Sequence, residues 1–579
     1  MSKTSNYDAK VKAILDATKP GERTCAVLGT KWMMDDTEIA QYRKYNVPPS
    51  KYAPMTRMKL MNAHIVMFDM WYNAQPNGGK PLISVVHPAS GIRVIPDDEW
   101  FKQDFTSHGR ELDLSRSFVD QLYKLSLAVP RSANFNYVQP ENSLAFISRG
   151  DQNSYFVLAC KSKNSVFSMN VSDMEDSAEV ALSTHISRSY NVVHSQNIAD
   201  CLYLRECLDC LSGAFLFDCR NCEFCFGATN KRNAKYLWWN EQLTEAEWKK
   251  RRSEVDLSSY AVRAEYEQRF KDLIAHAAWP ENWNVHAEDV TGEYIYDSTR
   301  IRDAFYVCKG CADLGWVNIA YGVPSSDCYM CAAVNGASDC YYGIGNGYSS
   351  KTRYSLSLLT RCLECEYCHA CMDCENCFGC IGLKHKKFCI LNKQYTEEEY
   401  WKTVDALKCA MLERGEYGDL PSAKFSTQHW SGCGARYIYD TPKEELIKLG
   451  MPDVDVTSEG AEGAAMDASM IHATSEIPDR ADDAMTKTVY RDDVSDRRFS
   501  YLVPELAIYR ALKIAPPRSH ATRRLMDLYA ELNMAIVEPA LCAECQKSIS
   551  VGKNKVYPKR AVYCKECYYK FIESGTSRG

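Results

Sequence analysis

The chain has 579 residues, 27 cysteines and a formal net charge of -6 at pH 7. This length allows several domains with separate cores, and the charge excludes a broad basic field for nucleic acid or an anionic membrane. No stretch reaches the ~20 consecutive apolar residues of a membrane span, and the polar N-terminus has no signal-peptide core. We therefore expect a cytoplasmic protein whose cysteines are thiols or metal ligands, because disulfides are rare in a reducing compartment and the cysteine count is odd.

Residues 1–30 are predicted to be a loose leader, and a short module follows them. In this module a helical turn runs into a Pro-containing loop, since Pro stops a helix, and a second helix is predicted over residues 58–69. The pattern returns near the other end, with its second helix predicted over residues 524–532. The two copies share a Glu, a Tyr-Arg pair and a later Arg at a constant shift of 467 residues: Glu38, Tyr42, Arg43 and Arg57, then Glu505, Tyr509, Arg510 and Arg524.

The C-terminal copy leads into two Cys-x2-Cys pairs with eighteen residues between them, which is the spacing of a four-cysteine zinc ribbon. In so small a module, metal binding supplies much of the folding energy, ~10–16 kcal/mol in zinc-finger peptides. We predict a structural zinc held by Cys542, Cys545, Cys564 and Cys567. At the matching places the N-terminal copy has no cysteine, so we expect an apolar core and no zinc there; the residues are Ile83, Val86, Pro96 and Glu99.

A repeat of 11 or 12 residues begins after an amphipathic helix predicted over residues 115–127. Each unit opens with a turn-favouring residue and a small residue that can point inward, and apolar alternation follows. Strand alternation at this interval predicts a narrow parallel β-solenoid, in which each turn stacks on the last. The alternative is a meandering antiparallel sheet. The units open at Asn142-Ser143, Asn153-Ser154, Asn164-Ser165, Asp176-Ser177, Arg188-Ser189 and Asp200-Cys201.

The repeat segment has a second copy 152 residues farther along the chain. Both copies end in a Thr-x-x-Glu capping box, which predicts a helix that protects the open edge of each solenoid. A further helix carrying Tyr266, Phe270 and Leu273 is predicted to bridge the copies. The matched residues are Cys210, Cys219, Cys222, Cys225, Gly227 and Asn240 with Cys362, Cys371, Cys374, Cys377, Gly379 and Asn392.

Cysteine occupies every third position from Cys362 to Cys380, a pattern that no regular strand can place on one face. One interpretation is a chain of knuckles that binds two zinc ions, with His369 or His385 completing a set. The other is a ladder of buried thiols that act as small hydrophobes. The candidate ligands are Cys362, Cys365, Cys368, Cys371, Cys374, Cys377 and Cys380.

Two further groups of cysteines are candidates for the same two roles. Packing is favoured over metal binding for Cys207, Cys210, Cys219, Cys222 and Cys225. A zinc site is the less favoured interpretation of a second pair of knuckles, formed by Cys308, Cys311, Cys328 and Cys331.

The chain resembles a cysteine-rich, zinc-ribbon-containing protein family of small-genome bacteria, with relatives in large viruses. The resemblance rests on the Glu505 to Arg524 module, the ribbon cysteines, the run that ends in Cys377-Phe-Gly-Cys380, and Asn392-Lys-Gln-Tyr395. It covers most of the chain and implies no activity. The sequence departs from it at Ser519 and Thr522, where relatives tend to carry a further cysteine pair.

These patterns predict a mainly β fold with α-helices: a duplicated, cysteine-rich parallel β-solenoid with capping helices, and small α/β end modules that include the ribbon. The predicted division is 1–30, leader; 31–110, N-terminal module; 111–243, helix and first solenoid segment; 244–290, capping and bridging helices; 291–395, second segment; 396–450, capping helix and a fragment of a third repeat at 437–441; 451–496, acidic linker; 497–579, C-terminal module and ribbon.

No catalytic motif stands out, so we expect no enzyme. Solenoids mostly present long surfaces to other macromolecules, which favours a zinc-stabilised scaffold that binds protein partners or further copies of itself, as in a virus-like particle. The second hypothesis is nucleic-acid binding through the ribbon and its basic neighbours. The third is metal storage or thiol redox chemistry in the 362–380 run. The basic neighbours are Arg518, Arg523, Arg524, Lys555, Lys559 and Arg560.

Overall fold

The computed structural model describes residues 2–75, 78–307, 310–320, 324–331, 334–335, 340–344, 346–357, 359–454 and 470–576. The chain forms two compact units, each assembled from separated segments. The first unit contains Met1–Val66, Asn73–Ala133 and Trp283–Val456, and the second contains Met67–Tyr72, Asn134–Asn282 and Thr457–Gly579. Each unit therefore combines one end module with one copy of the predicted repeat segment.

The fold is mixed α/β with a large share of strands. The helices are α1 (Ser5–Ala17), α2 (Asp36–Tyr45), α3 (Pro54–Asn62), α4 (Asp97–Lys102), α5 (Phe118–Ala128), α6 (Glu245–Ser253), α7 (Tyr260–Ala275), α8 (Glu397–Glu413), α9 (Gly434–Ile438), α10 (Lys443–Lys448), α11 (Val503–Leu512), α12 (Ala521–Ala530) and α13 (Lys565–Thr576).

The strands before residue 243 are β1 (Gly21–Thr24), β2 (Lys31–Met34), β3 (Trp71–Asn73), β4 (Leu82–Ser84), β5 (Val94–Ile95), β6 (Arg131–Ser132), β7 (Leu144–Phe146), β8 (Tyr155–Leu158), β9 (Ser162–Lys163), β10 (Val166–Glu175), β11 (Ala178–Ser187), β12 (Tyr190–Val193), β13 (Gln196–Ala199), β14 (Leu202–Arg205), β15 (Leu208–Leu211), β16 (Ala214–Phe217), β17 (Phe226–Thr229), β18 (Leu237–Trp238) and β19 (Glu241–Gln242).

The later strands are β20 (Ala278–Pro280), β21 (Glu288–Ile295), β22 (Thr299–Val307), β23 (Ala312–Gly315), β24 (Asn318–Ala320), β25 (Ser326–Cys331), β26 (Val334–Asn335), β27 (Cys340–Gly343), β28 (Asn346–Gly347), β29 (Leu359–Thr360), β30 (Glu375–Phe378), β31 (Lys387–Ile390), β32 (Lys393–Gln394), β33 (Ile471–Ala473), β34 (Val489–Arg491), β35 (Arg498–Phe499), β36 (Val537–Leu541), β37 (Ser548–Gly552) and β38 (Ala561–Tyr563).

Strands β7–β19 form one sheet, which has 13 strands in the part of the chain that the structure describes. From β7 to β18 the paired strands are parallel, and the antiparallel β18–β19 hairpin ends the sheet. This parallel pairing excludes the antiparallel meander for the first repeat segment. The register advances by twelve residues at each level from β10 onward: Val166, Ala178, Tyr190, Leu202, Ala214, Phe226 and Trp238 are successive partners.

The backbone turns at every third residue of this sheet. Asn164, Asp176 and Asp200 have φ of 48°, 48° and 54°, in the left-handed region, and intermediate positions such as Phe167 and Asn170 do as well. Asn and Asp tolerate that region better than most residues because their short side chains hydrogen-bond locally. The residue after each turn points inward, so Ser165, Ser177, Ser189 and Cys201 have no exposed surface. The predicted role of these turn-and-small-residue pairs is thus confirmed.

Buried serines link successive levels of the sheet. The Ser177 hydroxyl donates to the carbonyl of Glu175 and accepts the backbone N–H of Ser189, at 2.7 and 3.0 Å. The Ser189 hydroxyl in turn accepts the N–H of Cys201 at 3.1 Å. Because each hydroxyl is both donor and acceptor, a polar side chain can be buried here without losing its hydrogen bonds.

A row of aromatic rings covers the outside of each repeat segment. In the second unit, Tyr203 stacks on Phe215 at 4.8 Å between ring centres, and Phe270 of α7 packs edge-on against Phe215. In the first unit, Tyr354 stacks on Tyr367 at 4.9 Å. The predicted bridging helix therefore serves as a cover for the aromatic row of the first segment.

The shared Phe-Gly pair has a steric reason in both copies. Gly227 and Gly379 have φ of 66° and 62°, and a Cβ would lie 2.5 Å from the Trp239 ring and 2.6 Å from the Phe118 ring. Only glycine meets both the left-handed backbone and the close approach of a ring.

The two capping boxes are confirmed. The side chains of Thr244 and Thr396 each accept the backbone N–H of the Glu three residues later. The side chain of that Glu accepts the backbone N–H of the Thr in return, so α6 and α8 begin where predicted. Just before each box, an asparagine closes the last level of the sheet. Asn392 accepts the N–H of Ile381 at 2.7 Å and donates to the carbonyls of Ile381 and Phe105.

Replacing Asn392 by Ala is expected to destabilise the first unit by about 2–4 kcal/mol, because buried backbone groups lose their partners and Ala is strained in the left-handed region. Asn392→Gly removes only the amide, since Gly accepts φ of 64°. The half-buried equivalent Asn240, which bonds to Thr229 alone, provides the matched comparison. Hydrogen exchange in β30–β32 measures the effect; full protection in the Asn392→Gly variant would show that the amide contributes nothing.

Helix α12 lies within three residues of the prediction over residues 524–532, and α5 lies within three residues of the prediction over 115–127. Helix α3 overlaps the prediction over 58–69 only in part, because it begins at Pro54 and ends at Asn62. The structure differs at three other places. Residues 1–30 contain α1, because Tyr7, Val11 and Leu15 form a buried stripe with helical spacing. Residues 437–441 continue from helix α9 and form no strand.

The third difference lies in the predicted acidic linker. Residues 455–469 are outside the described part of the chain. Strands β33, β34 and β35, which follow these residues, form a small sheet. Its anchor is Asp492, a fully buried carboxylate that accepts backbone N–H groups from Val494, Ser495 and His520 and pairs with Arg523 at 3.1 Å. The charge composition hides this sheet, because one of the acidic residues is a structural acceptor and not a solvated charge.

Candidate metal centre

The C-terminal ribbon brings the four predicted zinc ligands together. The hairpin β36–β37 holds the first knuckle, where the Cys542 N–H donates to the carbonyl of Lys547 at 2.9 Å and Gln546 takes the left-handed conformation. The second knuckle begins at Cys564, directly after β38, and continues into α13 through a bond from the Tyr568 N–H to the Cys564 carbonyl. The two local turns thus bring the two pairs of thiols close together.

The sulfur atoms of Cys542, Cys545, Cys564 and Cys567 all lie within 4.8 Å of one another. Sulfurs at about 2.3 Å from a common tetrahedral ion stand about 3.8 Å apart, and the Cys545 and Cys564 sulfurs are 3.8 Å apart. Four thiols in a closed set fit a structural metal ion, since a catalytic site keeps a position open for substrate. The set therefore fits a bound metal ion with no further ligand.

Backbone groups favour the thiolate form of Cys542, whereas the pKa of Cys564 and of Cys567 is raised. Burial opposes ionisation of Cys542, but N–H groups of Cys545 and Cys564 hydrogen-bond to its sulfur and lower its pKa to about 6. The Cys564 N–H donates to that sulfur at 3.3 Å. Cys542 and Cys564 are buried, whereas Cys545 is exposed and Cys567 is half-buried, so the site lies at the edge of the module.

The ribbon is joined to the first repeat segment within the second unit. Strand β38 pairs in parallel with β20, and Tyr568 and Ile572 of α13 pack on Ala278. The Tyr568 hydroxyl donates to the fully buried carboxylate of Asp218, which also pairs with Arg232 at 2.9 Å. The four-cysteine group thus belongs to a module that is part of the unit's core.

The 362–380 run turns at every third residue, which explains its spacing. Residues such as Arg361, Glu364 and Tyr367 have φ between 51° and 54°, and each following cysteine points inward. The Cys362 thiol donates to the carbonyl of Cys371 at 3.3 Å, and the Cys368 thiol donates to that of Cys377 at 3.4 Å. None of the seven is more than 2% exposed: Cys362, Cys365, Cys368, Cys371, Cys374, Cys377 and Cys380.

This geometry matches the buried-thiol interpretation of the run. Burial raises the pKa of Cys368 and Cys371 well above the ordinary value, whereas hydrogen bonds with neighbouring thiols lower the pKa of Cys365 and Cys374. Donation to a carbonyl requires a protonated thiol. His369 is buried beside the run, and His385 lies on the surface near Asp373. Within the residues that the structure describes, only the ribbon cysteines bring three or more metal-ligand atoms within 4.8 Å of one another. Zinc binding by the run stays a prediction for metal analysis.

The remaining candidates are placed as follows. Cys311, Cys328 and Cys331 lie in an apolar cluster with Ile301 and Val307, and Cys308 lies outside the described residues. The first-segment cysteines are likewise core residues: Cys207, Cys210, Cys219, Cys222 and Cys225. In the N-terminal copy of the ribbon, Val86 belongs to an apolar cluster with Ile92 and Val94.

Sequence reasoning missed the role of the shared Glu, Tyr and Arg in the two end modules. In the second unit, Arg524 of α12 donates to Glu505 of α11 at 3.0 Å and to Glu179 of β11 at 2.7 Å, and Tyr509 donates to Glu505. In the first unit, Arg57 pairs with Glu38, which also accepts from the Tyr42 hydroxyl. The signal was present, because identical charged residues recurred in both copies among apolar neighbours.

The described helices include none that is both long and apolar enough to cross a membrane. Comparisons with protein-family models, with curated proteins and with solved structures found no match for this chain. The fold and the site therefore define the chain as a strand-rich α/β protein with a four-cysteine group that can hold a metal ion, and the family resemblance of the sequence stays a prediction.

Proposed function

We propose that the protein is a zinc-stabilised, non-enzymatic scaffold built on two β-solenoid segments, and that it binds protein partners or further copies of itself. The observation that carries the proposal is the constant twelve-residue parallel register from Val166 to Trp238. A second row of pairs, Thr184 with Gln196 and Gln196 with Leu208, advances by the same step on another face. Two rows of parallel pairs that advance by the same number of residues are what a coil of stacked turns requires.

The proposed metal is zinc. A closed set of four cysteine thiolates is the usual structural zinc site, and soft thiolate ligands disfavour magnesium and calcium. Zinc has no redox chemistry of its own, which suits a stabilising role.

Stacked surface side chains support a binding role for the solenoid surface. Asn142 bonds to Asn153 at 2.9 Å and Asn164 to Asp176 at 3.0 Å, each one level apart. Arg188 forms a two-point ion pair with Asp200 on the next level. Strand spacing sets such rows about 4.8 Å apart, so the surface presents a regular array of fixed polar groups to a partner.

The nucleic-acid hypothesis has less support. Of its six basic residues, Arg524 is buried in ion pairs and Arg523 pairs with Asp492, while Arg560 donates to the carbonyl of Gly552. Lys555 and Lys559 are exposed. Direct phosphate contacts need several exposed cations in one patch, and this set does not form one.

The thiol-chemistry hypothesis yields a testable prediction. Iodoacetamide treatment of the protein after chelation is expected to modify all four ribbon cysteines, because metal loss unfolds the ribbon. Half-buried Cys409 is expected to react more slowly, because thiolates react only where reagent can reach them. The seven cysteines of the 362–380 run are expected to stay unmodified until denaturant is added. Peptide mapping by mass spectrometry measures this, and native modification within the run would favour thiol chemistry over packing.

The scaffold proposal is tested by sedimentation velocity over a range of concentrations, with metal-loaded protein at low and high salt. We expect a defined oligomer or filament whose stability changes little with salt, because contacts between regular polar and apolar surfaces are not dominated by charge. Electron microscopy of the same samples identifies the form of the assembly. A monomer under every condition, with no stable complex with a protein from its own cell, would contradict the proposal.

A further inference from the structure

We propose that a cavity in the second unit is a binding site for a small oxyanion, inorganic phosphate or the phosphate group of a small ester. This inference does not depend on the scaffold proposal. The cavity has a volume of about 220 Å³ and is enclosed by α7, by the start of α12 with the residues before it, and by strands β11, β12 and β14. Its cationic lining residues are Arg205, Arg263, Lys271, Arg518, Arg523 and Arg524.

The four carboxylates of the lining are already held by neighbouring cations. Glu531 receives a two-point ion pair from Arg205, and Glu267 pairs with Arg263 at 3.0 Å. Glu179 accepts from Arg524, and Asp527 lies 3.6 Å from Arg523. These pairs fix the arginines in place and cancel the acidic charge of the cavity.

Two cations of the lining have no such partner. No carboxylate among the described residues forms an ion pair with Arg518 or Lys271. The Arg518 guanidinium lies 4.0 Å over the Tyr260 ring and donates once, to the carbonyl of Ile477. Ring stacking orients the planar guanidinium while it leaves edge N–H groups for a further acceptor. Behind the lining, Asp492 and Glu505 pair with Arg523 and Arg524, and Asp527 attracts Lys271 at longer range. Among the described residues, Arg518 and Lys271 are thus the lining cations that no carboxylate contacts directly, and an anion can bind them.

Buried donors give a second and independent reason. The Nε atoms of Arg518 and Arg524 are both buried and have no hydrogen-bond partner. A buried donor without an acceptor costs about 1–3 kcal/mol. Arg524 is held within 7% exposure by its bonds to Glu179 and Glu505, so it cannot turn outward to find water. Contact between an anion and either Nε requires a side-chain shift, because neither atom is accessible to a water-sized molecule in this structure.

The start of α12 borders the cavity, and part of its positive end is already neutralised by Asp492, which accepts the His520 N–H and pairs with Arg523. Arg518 and Ser519 precede this ten-residue helix, and Arg523 lies in its first turn. The N-terminus of a helix carries partial positive charge and favours anions. Guanidinium groups match the geometry of phosphate oxygens, which is why phosphate is favoured over a halide.

The volume limits the ligand. Sites for drug-sized molecules are about 300–1,000 Å³, so a cavity of about 220 Å³ accepts a phosphate group and little more. A nucleic acid spreads many phosphates along a surface, whereas a cavity of this volume holds one phosphate group. Nucleic-acid binding is therefore one of the outcomes that the test below distinguishes from phosphate binding.

The test is calorimetric titration of full-length, metal-loaded protein with sodium phosphate at constant ionic strength, for wild type and for Arg518→Met and Lys271→Met. We expect saturable binding that is at least about tenfold weaker in each variant. Lys250→Met, on the exposed face of α6, is the matched control and is expected to bind like wild type. Unchanged thermal unfolding of the phosphate-free variants shows that they are folded.

Crystals soaked in tungstate, an electron-dense phosphate analogue, locate the site by anomalous scattering. A peak between α7 and the start of α12 supports the proposal. No saturable binding at millimolar phosphate, or equal binding by wild type and both variants, would overturn it. Binding of a single-stranded oligonucleotide with steep salt dependence, without binding of phosphate itself, would overturn it in favour of a nucleic-acid surface.

Discussion

Replacing Cys542 and Cys545 together by serine is expected to remove one metal ion per chain and to unfold the C-terminal ribbon. Two of the four sulfurs that lie within 4.8 Å of one another are lost, and a serine hydroxyl is a far weaker ligand for zinc than a thiolate. Metal binding contributes about 10–16 kcal/mol in small zinc modules. Few other buried contacts can compensate in so short a segment.

The effect is expected to spread beyond the ribbon. Strand β38 pairs with β20, and the Tyr568 hydroxyl satisfies the buried carboxylate of Asp218. When α13 unfolds, Asp218 keeps only Arg232 and Asn230 as side-chain partners. We therefore expect faster hydrogen exchange in β20 as well as in β36–β38, and no change in the repeat segment of the first unit.

Elemental mass spectrometry of protein purified without chelator measures the metal, and Cys409→Ser is the matched control because Cys409 is a half-buried thiol on α8, outside the cysteine group. One zinc in wild type and in the control, and none in the double variant, is the expected result. Three or more zinc ions per chain that mostly survive the double substitution would show that the 362–380 run binds metal, contrary to the buried-thiol interpretation.

Replacing Arg524 by Met is expected to destabilise the second unit by about 3–5 kcal/mol, the range for removing one partner of a buried ion pair. Glu505 and Glu179 are 1% exposed, and without the guanidinium each must be buried as an uncompensated charge or take up a proton. Burial raises the pKa of Glu505 and Arg524 opposes that shift, so loss of Arg524 removes the main group that keeps the carboxylate ionised.

A double-mutant cycle measures the interaction energy between Glu505 and Arg524 apart from the effect of each single substitution. Glu505→Leu alone leaves Arg524 paired with Glu179, and we expect it to lower the free energy of unfolding by less than Arg524→Met does. The double variant Glu505→Leu/Arg524→Met is expected to lower the free energy of unfolding by less than the sum of the two single effects. The reason is that two apolar side chains replace two buried charges. Arg57→Met in the first unit is the matched substitution, since Arg57 is also fully buried against Glu38.

Hydrogen exchange at α11 and α12 measures these effects better than global unfolding, because a chain with two compact units need not unfold in one step. Additive costs in the cycle would contradict a direct interaction between Glu505 and Arg524. Wild-type stability of Arg524→Met would show that the buried triad is not what joins α12 to β11.

Several features of the fold could be predicted because they depend on neighbours within a few residues. Thr396 and Glu399 form a capping box through bonds three residues apart, so their sequence spacing is enough to begin a helix. Asn164 and Asp176 mark left-handed turns for a similar reason. The ribbon ligands are paired at the spacing that one tight turn requires.

Other predictions failed or stopped short because the deciding contact was distant. Helix α1 was missed since its buried stripe packs on α8, where Asp405 accepts the N–H of Tyr7 398 residues away. The small sheet that begins at Ile471 lies where composition predicts a solvated linker, because composition does not indicate which carboxylate is buried. Tertiary packing decided this second place, whereas the helical spacing of Tyr7, Val11 and Leu15 in α1 is a local signal.

The sequence by itself determined the periods: the twelve-residue step, the copies 152 and 467 residues apart, and the four ligands of the ribbon. These follow from local turn, cap and ligand chemistry, which acts over a few bonds. Only the tertiary structure decided that the cysteines of the 362–380 run are buried and that Arg524 pairs with Glu179, 345 residues away. The physical reason is that burial and the partner of a buried charge depend on what the folded chain brings close, and that is not encoded in any one window of the sequence.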